Sequence, residues 1–140
     1  MKPYLTIIIF IFVLGLIYVF WPIAKNASKN VSSDNSLTTI TLPKTLTASA
    51  QTGKHIYDVK CAHCHGTNAV GQNNVAPPLI HKIYELNHHG DESFQRAVAL
   101  GVSAHHWPFG NMPPIEGVSR DDVKLIIAYI RKVQNINGIN

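Results

Sequence analysis

Cysteine is almost missing from this chain: Cys61 and Cys64 are its only two, and Met112 is its only methionine besides Met1. Two cysteines three positions apart close no useful loop, which excludes a disulfide-stapled scaffold. A second cysteine pair, which a zinc site of the usual pattern needs, does not exist. No cysteine follows the apolar N-terminal run, so a lipoprotein anchor has no attachment point. No stretch alternates convincingly as a strand, and no internal repeat is present. Strong charge of one sign is also lacking: residues 25–140 hold eleven Lys/Arg (twelve less Lys2) and eight Asp/Glu, a formal +3. That modest basicity gives no reason to expect a nucleic-acid partner.

What is present begins with residues 4–23, twenty positions without a charge (YLTIIIFIFVLGLIYVFWPI). At about 1.5 Å of rise per residue they span roughly the 30 Å of a hydrocarbon core. A signal peptide is the competing reading, but its apolar region runs about 7–15 residues and ends in a small-residue site. Here the run is longer and Ala24-Lys25-Asn26-Ala27 follows, so residues 1–24 are expected to be an uncleaved single-pass anchor. Tyr4, Tyr18, Phe20 and Trp21 suit its two interfaces. Lys2 and the amino terminus on one side face Lys25 and Lys29 on the other, so loop charge does not orient it.

Residues 25–46 are rich in Ser, Asn and Thr without helical periodicity, and their composition predicts a flexible linker. A coil of 22 residues has a typical span on the order of 25 Å. From residue 47 onward the pattern is helical. Thr47 is placed to cap a helix running to about Lys60, with Gly53, Ile56 and Tyr57 on one side. A short helical stretch after Pro78 would present Leu79, Ile83 and Leu86. Asp91 is placed to cap another, with Phe94, Ala97, Val98 and Gly101 as its inner face. In the last helix Ser119 caps an acidic first turn, Val123, Ile126, Ile127 and Ile130 follow at i, i+3, i+4, i+7, and Arg131 and Lys132 stand near its end. The domain, residues 47–140, is thus predicted to be all-α and loop-rich.

Such a domain is short of core, and residues 66–78 (GTNAVGQNNVAPP) carry almost no apolar bulk. A large, flat, mostly apolar group would fill the middle. Cys61-Ala62-His63-Cys64-His65 supplies the means, because C-x-x-C-H is the signature of haem attachment. On one helical turn both thiols fall on one face, where each can form a thioether with a haem vinyl group, and His65 is carried under the ring to ligate iron. A thioredoxin-like reading would require a βαβ pattern, which the sequence lacks. For the sixth position the chain offers Met112 in Asn111-Met112-Pro113-Pro114, a loop setting in which a methionine serving as core filler is less expected.

These features together resemble a class I cytochrome c over roughly residues 47–135, in a membrane-anchored bacterial form. The carriers of the resemblance are Gly53 and Tyr57, the run from Cys61 to Gly66, Pro77-Pro78-Leu79, Asn111 to Pro114, and a terminal helix with Tyr129. It implies one haem c, joined covalently through Cys61 and Cys64, with His65 as proximal and Met112 as distal ligand. Pro77 would lend its carbonyl to the other imidazole nitrogen. Gly53 and Tyr57 would let the first helix cross the last against Ile126 and Tyr129. Asn111 is expected to hydrogen-bond near the methionine sulfur. Trp107 is expected either to reach a haem propionate or to serve as pocket wall. Thioether assembly in this family occurs outside the energy-transducing membrane, which implies a domain facing the periplasm from the inner membrane.

Closed coordination by a histidine and a thioether leaves no position for a small-molecule substrate and implies an electron carrier rather than an enzyme. Its partners would be redox proteins, with Lys54, Lys60 and Lys82 available to steer an acidic one. A fixed subunit of a larger membrane oxidase or dehydrogenase is the alternative. His88-His89 and His105-His106 depart from the family pattern. A histidine sixth ligand, a second metal such as copper, and a surface role remain open for them. A helix over 91–101 would separate the pairs by about 15 Å, which argues against all four sharing one metal.

Overall fold

The computed structural model describes residues 35–140, together with the helical positions Tyr4, Ile9, Phe12 and Val13. The expected anchor therefore lies, apart from those four positions, outside the described residues. Among the described residues no helix is long and apolar enough to cross a membrane.

The described residues from 35 to 140 belong to one compact unit. Its elements are α1 (Ala48–Lys60), α2 (Ala62–His65), a 3-10 turn at Thr67–Ala69, a second at Lys82–Tyr84, α3 (Asp91–Leu100) and α4 (Arg120–Ile136). The described residues contain no strand, only the isolated bridges Gln72–Ala76 and Val102–Met112, so the all-α expectation holds.

Local chemistry explains the helix ends. Thr47 Oγ1 accepts from Ala50 N at 3.3 Å and starts α1. Ser119 and Asp122 form a reciprocal capping box at the start of α4, each satisfying an amide that the first turn leaves free. The two long helices cross at Gly53, where an added Cβ would lie 1.8 Å from the Leu125 carbonyl oxygen. Only a residue without a side chain permits that approach. Beside the crossing, the Tyr57 and Tyr129 rings meet with centroids 5.7 Å apart. Ile126, Ile127, Ile130 and Val133 complete the buried face of α4.

Both tyrosines are buried, yet each hydroxyl finds an acceptor. Tyr57 donates to the Gly66 carbonyl at 2.7 Å, and Tyr129 donates to Asn68 Oδ1 at 3.4 Å. Burial is the main cause that lifts both phenols well above their ordinary range. Because the folded state disfavours the phenolate, this stability is complete below the unfolded value near 10 and is lost as pH rises beyond it. Alkaline titration is expected to unfold the domain in one step. Ionisation of Tyr57 near pH 10 (about the free phenol value), seen by ring NMR with helical circular dichroism unchanged, would contradict this.

Several expectations need correction. Residues 35–46, assigned by composition to the linker, lie along the domain. Leu37 N donates to Val70 O at 3.1 Å, and Asn73 N donates to Asn35 O at 3.0 Å. Thr41 N donates to Asn137 Oδ1 at 2.8 Å, while Asn137 Nδ2 donates back to Thr41 O at 2.9 Å. Ile40 and Leu46 pack against the core. The rest of that linker, residues 25–34, lies outside the described residues.

The helix expected after Pro78 is only a 3-10 turn. Leu79 N and Ile80 N both point to Ala69 O, at 2.9 and 3.4 Å, which commits the backbone to the neighbouring loop. Ile80 is buried instead of Leu86, which is exposed. The cap of α3 is Gly90 rather than Asp91, and its expected inner face, Phe94, Ala97, Val98 and Gly101, is half-buried.

Arg131 does not serve the end of α4. It reaches sideways, donating to Asp91 Oδ1 at 2.9 Å, to His89 O at 2.9 Å and to Tyr84 O. Its guanidinium also lies 5.2 Å from the Phe94 ring centroid. One side chain thus ties α3 and the loop before it to α4.

Candidate functional site

The attachment motif folds as a single tight turn continuing from α1. Cys64 N and His65 N both donate to Cys61 O, at 3.2 and 2.9 Å, which places the cysteines on one turn as their spacing implies. Both thiols are free, Cys61 half-buried and Cys64 exposed. Burial pushes the Cys61 thiol up to about 11, with Cys64 as the lesser cause.

His65 is oriented from the far side of this turn. Its Nδ1 lies 2.9 Å from the Pro77 carbonyl oxygen. A carbonyl only accepts, so Nδ1 carries the proton and Nε2 presents its lone pair. Burial lowers the imidazole pKa, opposed in part by the Pro77 carbonyl. The ring is thus held neutral and in the tautomer that a metal ligand requires.

What brings Pro77 there is a pair of glycines. Gly71 has φ +75°, and a Cβ on it would meet Pro78 N at 2.5 Å and Pro77 C at 2.9 Å. Gly66 also has φ +75°, with Gly71 O only 2.6 Å from where its Cβ would be. Gly71 N closes the loop on His65 O at 2.8 Å.

Gln72 is a positioning residue that the sequence reading missed. Its Nε2 faces the carbonyl oxygens of Ala62, His63 and Cys64 at 3.3, 2.6 and 3.2 Å. Ala62 O also accepts from Gly66 N at 3.0 Å, whereas the last carbonyls of so short a helix find no partner within it. The signal was present only as a polar residue in an apolar-poor loop, and nothing local says which carbonyls it will reach.

Met112 sits half-buried on a pinned loop. Its N donates to Val102 O and Val102 N donates to its carbonyl, both at 2.9 Å. Gly101, at φ +75°, makes room for this pairing, since a Cβ there would lie 2.5 Å from Met112 O. Ile115 N, donating to Val98 O at 2.9 Å, fastens the loop's far end to α3.

Asn111 is committed to the loop rather than to the methionine sulfur. Its Oδ1 accepts from Ala104 N at 2.8 Å, and no bond from it to Met112 is present among the described residues. Trp107 stacks on Phe109 with centroids 6.0 Å apart and meets His81 edge-on at 5.1 Å. Its Nε1 lies toward Tyr84, a minor downward influence on a phenol that burial raises, yet it completes no hydrogen bond. A buried donor without an acceptor is costly. It fits a carboxylate brought by a cofactor.

The donor set therefore suits a covalently held haem: two thiols on one turn, a neutral imidazole with Nε2 free, a thioether on a fixed loop and an orphaned indole N–H. The structure joins Cys61, Cys64, His65 and Pro77 into one cluster, whereas Met112, Asn111 and Trp107 belong to the loop after α3.

A family model described as Cytochrome c matches residues 50–134, more than half of the chain and all of the residues just named. No curated protein matches the chain significantly.

Proposed function

Since the chain belongs to the cytochrome c family, whose members carry electrons on a covalent haem c, we propose that it is a membrane-tethered shuttle of single electrons with His65 and Met112 as axial ligands. The haem, held at Cys61 and Cys64, supplies a one-electron couple when bound. The observation that carries the ligand assignment is the contact of His65 Nδ1 with the Pro77 carbonyl, which leaves a neutral Nε2 for iron. Met112, on its braced loop, would supply the second ligand to the iron. Trp107 Nε1, which has no acceptor among the described residues, would donate to a propionate. Asn111 holds the loop in shape through Ala104. With both positions filled by the protein, exchange is of electrons alone.

The test is spectroscopic. The oxidised protein is expected to show the weak red band of a methionine–iron bond, and the reduced protein to give a spectrum unperturbed by carbon monoxide. An immediate carbon monoxide complex would point instead to a gas sensor or a haem enzyme.

Residues 4–23 are the membrane segment in this reading, on the strength of their length and the missing cleavage site. The domain then faces the periplasm from the inner membrane, because that is where the family's thioethers are made. Of the lysines considered for steering, Lys54 is paired with Asp58 at 2.5 Å and Lys60 leans on Glu116 O at 3.5 Å. Lys82 is exposed and is the best placed to meet an acidic partner.

The docking of residues 35–46 favours a second reading, a fixed subunit of a larger oxidase or dehydrogenase, because it takes length from the free tether. Extraction of membranes with mild detergent separates the two. A shuttle is expected to elute alone with its N-terminal segment uncleaved, and a subunit to co-purify at fixed stoichiometry.

A further inference from the structure

The two histidine pairs do not lie apart as the length of α3 suggests. The five residues from Gly101 to His105, extended, reach roughly 17 Å, enough to run back along a ten-residue helix that is about 15 Å long. The chain after α3 uses that reach to return to the segment before it. The His88 and His106 rings are 5.3 Å apart, His89 and His106 are 5.2 Å apart, and His88 and His89 are 4.6 Å apart. One ring nitrogen from each of His88, His89 and His106 lies within 4.8 Å of the others.

We propose that His88, His89 and His106 form a second metal site, separate from the haem ligands, that takes one divalent late first-row ion, with Cu²⁺ bound in preference to Zn²⁺. Imidazole nitrogens about a tetrahedral ion, at about 2.0–2.1 Å from it, stand roughly 3.3 Å from one another. Rotation of the two exposed rings, His88 and His106, covers the remaining difference.

The third ring is already set for the task. His89 Nδ1 contacts the Ile83 carbonyl at 2.7 Å, which leaves its Nε2 as the ligand atom, the same backbone-carbonyl device that orients His65. His105 stands next to the site, 4.1 Å from His106 between centroids. Its Nδ1 contacts the Ser103 carbonyl at 2.8 Å, which makes it a ready fourth donor.

The donor chemistry selects the class of ion. A set of imidazoles without a carboxylate suits copper, zinc or nickel and does not suit Ca²⁺ or Mg²⁺, which need oxygen ligands. The order of divalent affinities then places Cu²⁺ first. Arg131 bonds the backbone of His89, and its charge is paired with Asp91 at 2.9 Å. It does not present an uncompensated charge to an incoming ion.

The experiment uses the full chain with haem attached, stripped with chelator, so that His65 does not offer a site of its own. Calorimetric titration with copper(II) chloride is expected to give one ion per chain at micromolar affinity or tighter, displaced by no comparable amount of zinc chloride. Electron paramagnetic resonance of the copper form is expected to show coupling to imidazole nitrogens. Each of His88→Gln, His89→Gln and His106→Gln should weaken binding by about tenfold or more, with the haem spectrum unchanged as proof of folding. His55→Gln, on the exposed side of α1, should have no effect.

If His89→Gln fails to fold, the exposed His88 and His106 still decide the matter. Binding only at millimolar copper, binding that survives the His88→Gln/His106→Gln double variant, or equal weakening by His55→Gln would overturn the site. None of those results would touch the assignment of His65 and Met112.

Discussion

Replacing Met112 with Ala is expected to abolish the weak red absorption band of the oxidised protein and to open the reduced protein to carbon monoxide. The midpoint potential should fall by on the order of 100 mV or more, a sizeable share of the roughly 0.8 V range that axial ligands span. A thioether favours reduced iron, and removing it leaves water or a stronger donor in its place. The fold should survive, because the loop is held by backbone bonds between Val102 and Met112 at 2.9 Å that Ala retains. If the band persists in the variant, Met112 is not the ligand. The histidines at 105 and 106, on the same loop, are then the first alternatives, and their Gln variants would show it.

The second large effect is at the helix crossing. Gly53→Ala would put a Cβ 1.8 Å from Leu125 O, 2.3 Å from Leu125 C and 2.9 Å from Ile126 N. All three are backbone atoms of α4, so no side-chain rotation relieves the clash, and the helices must separate. Separation would unpack Tyr57 from Tyr129 and break the buried bond from Tyr57 to Gly66 O, which ends the attachment turn. A loss of about 3 kcal/mol or more is expected, at or above the usual cost of overpacking. Urea unfolding followed by far-ultraviolet circular dichroism measures it. Gln51→Ala, exposed on the same helix, is the control and should stay within about 0.5 kcal/mol of the parent. An equally small change for Gly53→Ala would mean that the crossing is looser than this geometry.

How much of this was legible differs from feature to feature. Cys61, Cys64 and His65 are three positions of one turn, so their relative placement follows from helical spacing alone. Thr47 and Ser119 act on amides three residues away, and those caps could be read for the same reason. Gly53 and Tyr57 were legible only through the family resemblance, since no local pattern says that two helices will meet there. Asp91 was misjudged as a cap because a side chain suited to capping is no guide when the backbone turns one residue earlier, at Gly90.

The strap at residues 35–46 and the histidine cluster were not legible at all. Thr41 and Asn137 meet across 96 positions, and Ser, Asn and Thr look the same in a docked segment as in a free one. The length of a helix over 91–101 argues against all four histidines sharing one metal, because it measures distance along the helix only. Their proximity depends on where the chain goes after Gly101.

By itself, the sequence determined the all-α character, the attachment turn and the candidate ligands, because each of these depends on spacing within a few residues of one helix or loop. Only the tertiary structure decided that Gln72 braces the attachment helix, that Asn111 serves its own loop, that residues 35–46 belong to the domain and that three imidazoles converge. Each of those is a contact between segments whose nearness is set by the packing of α1, α3 and α4, which no local pattern records.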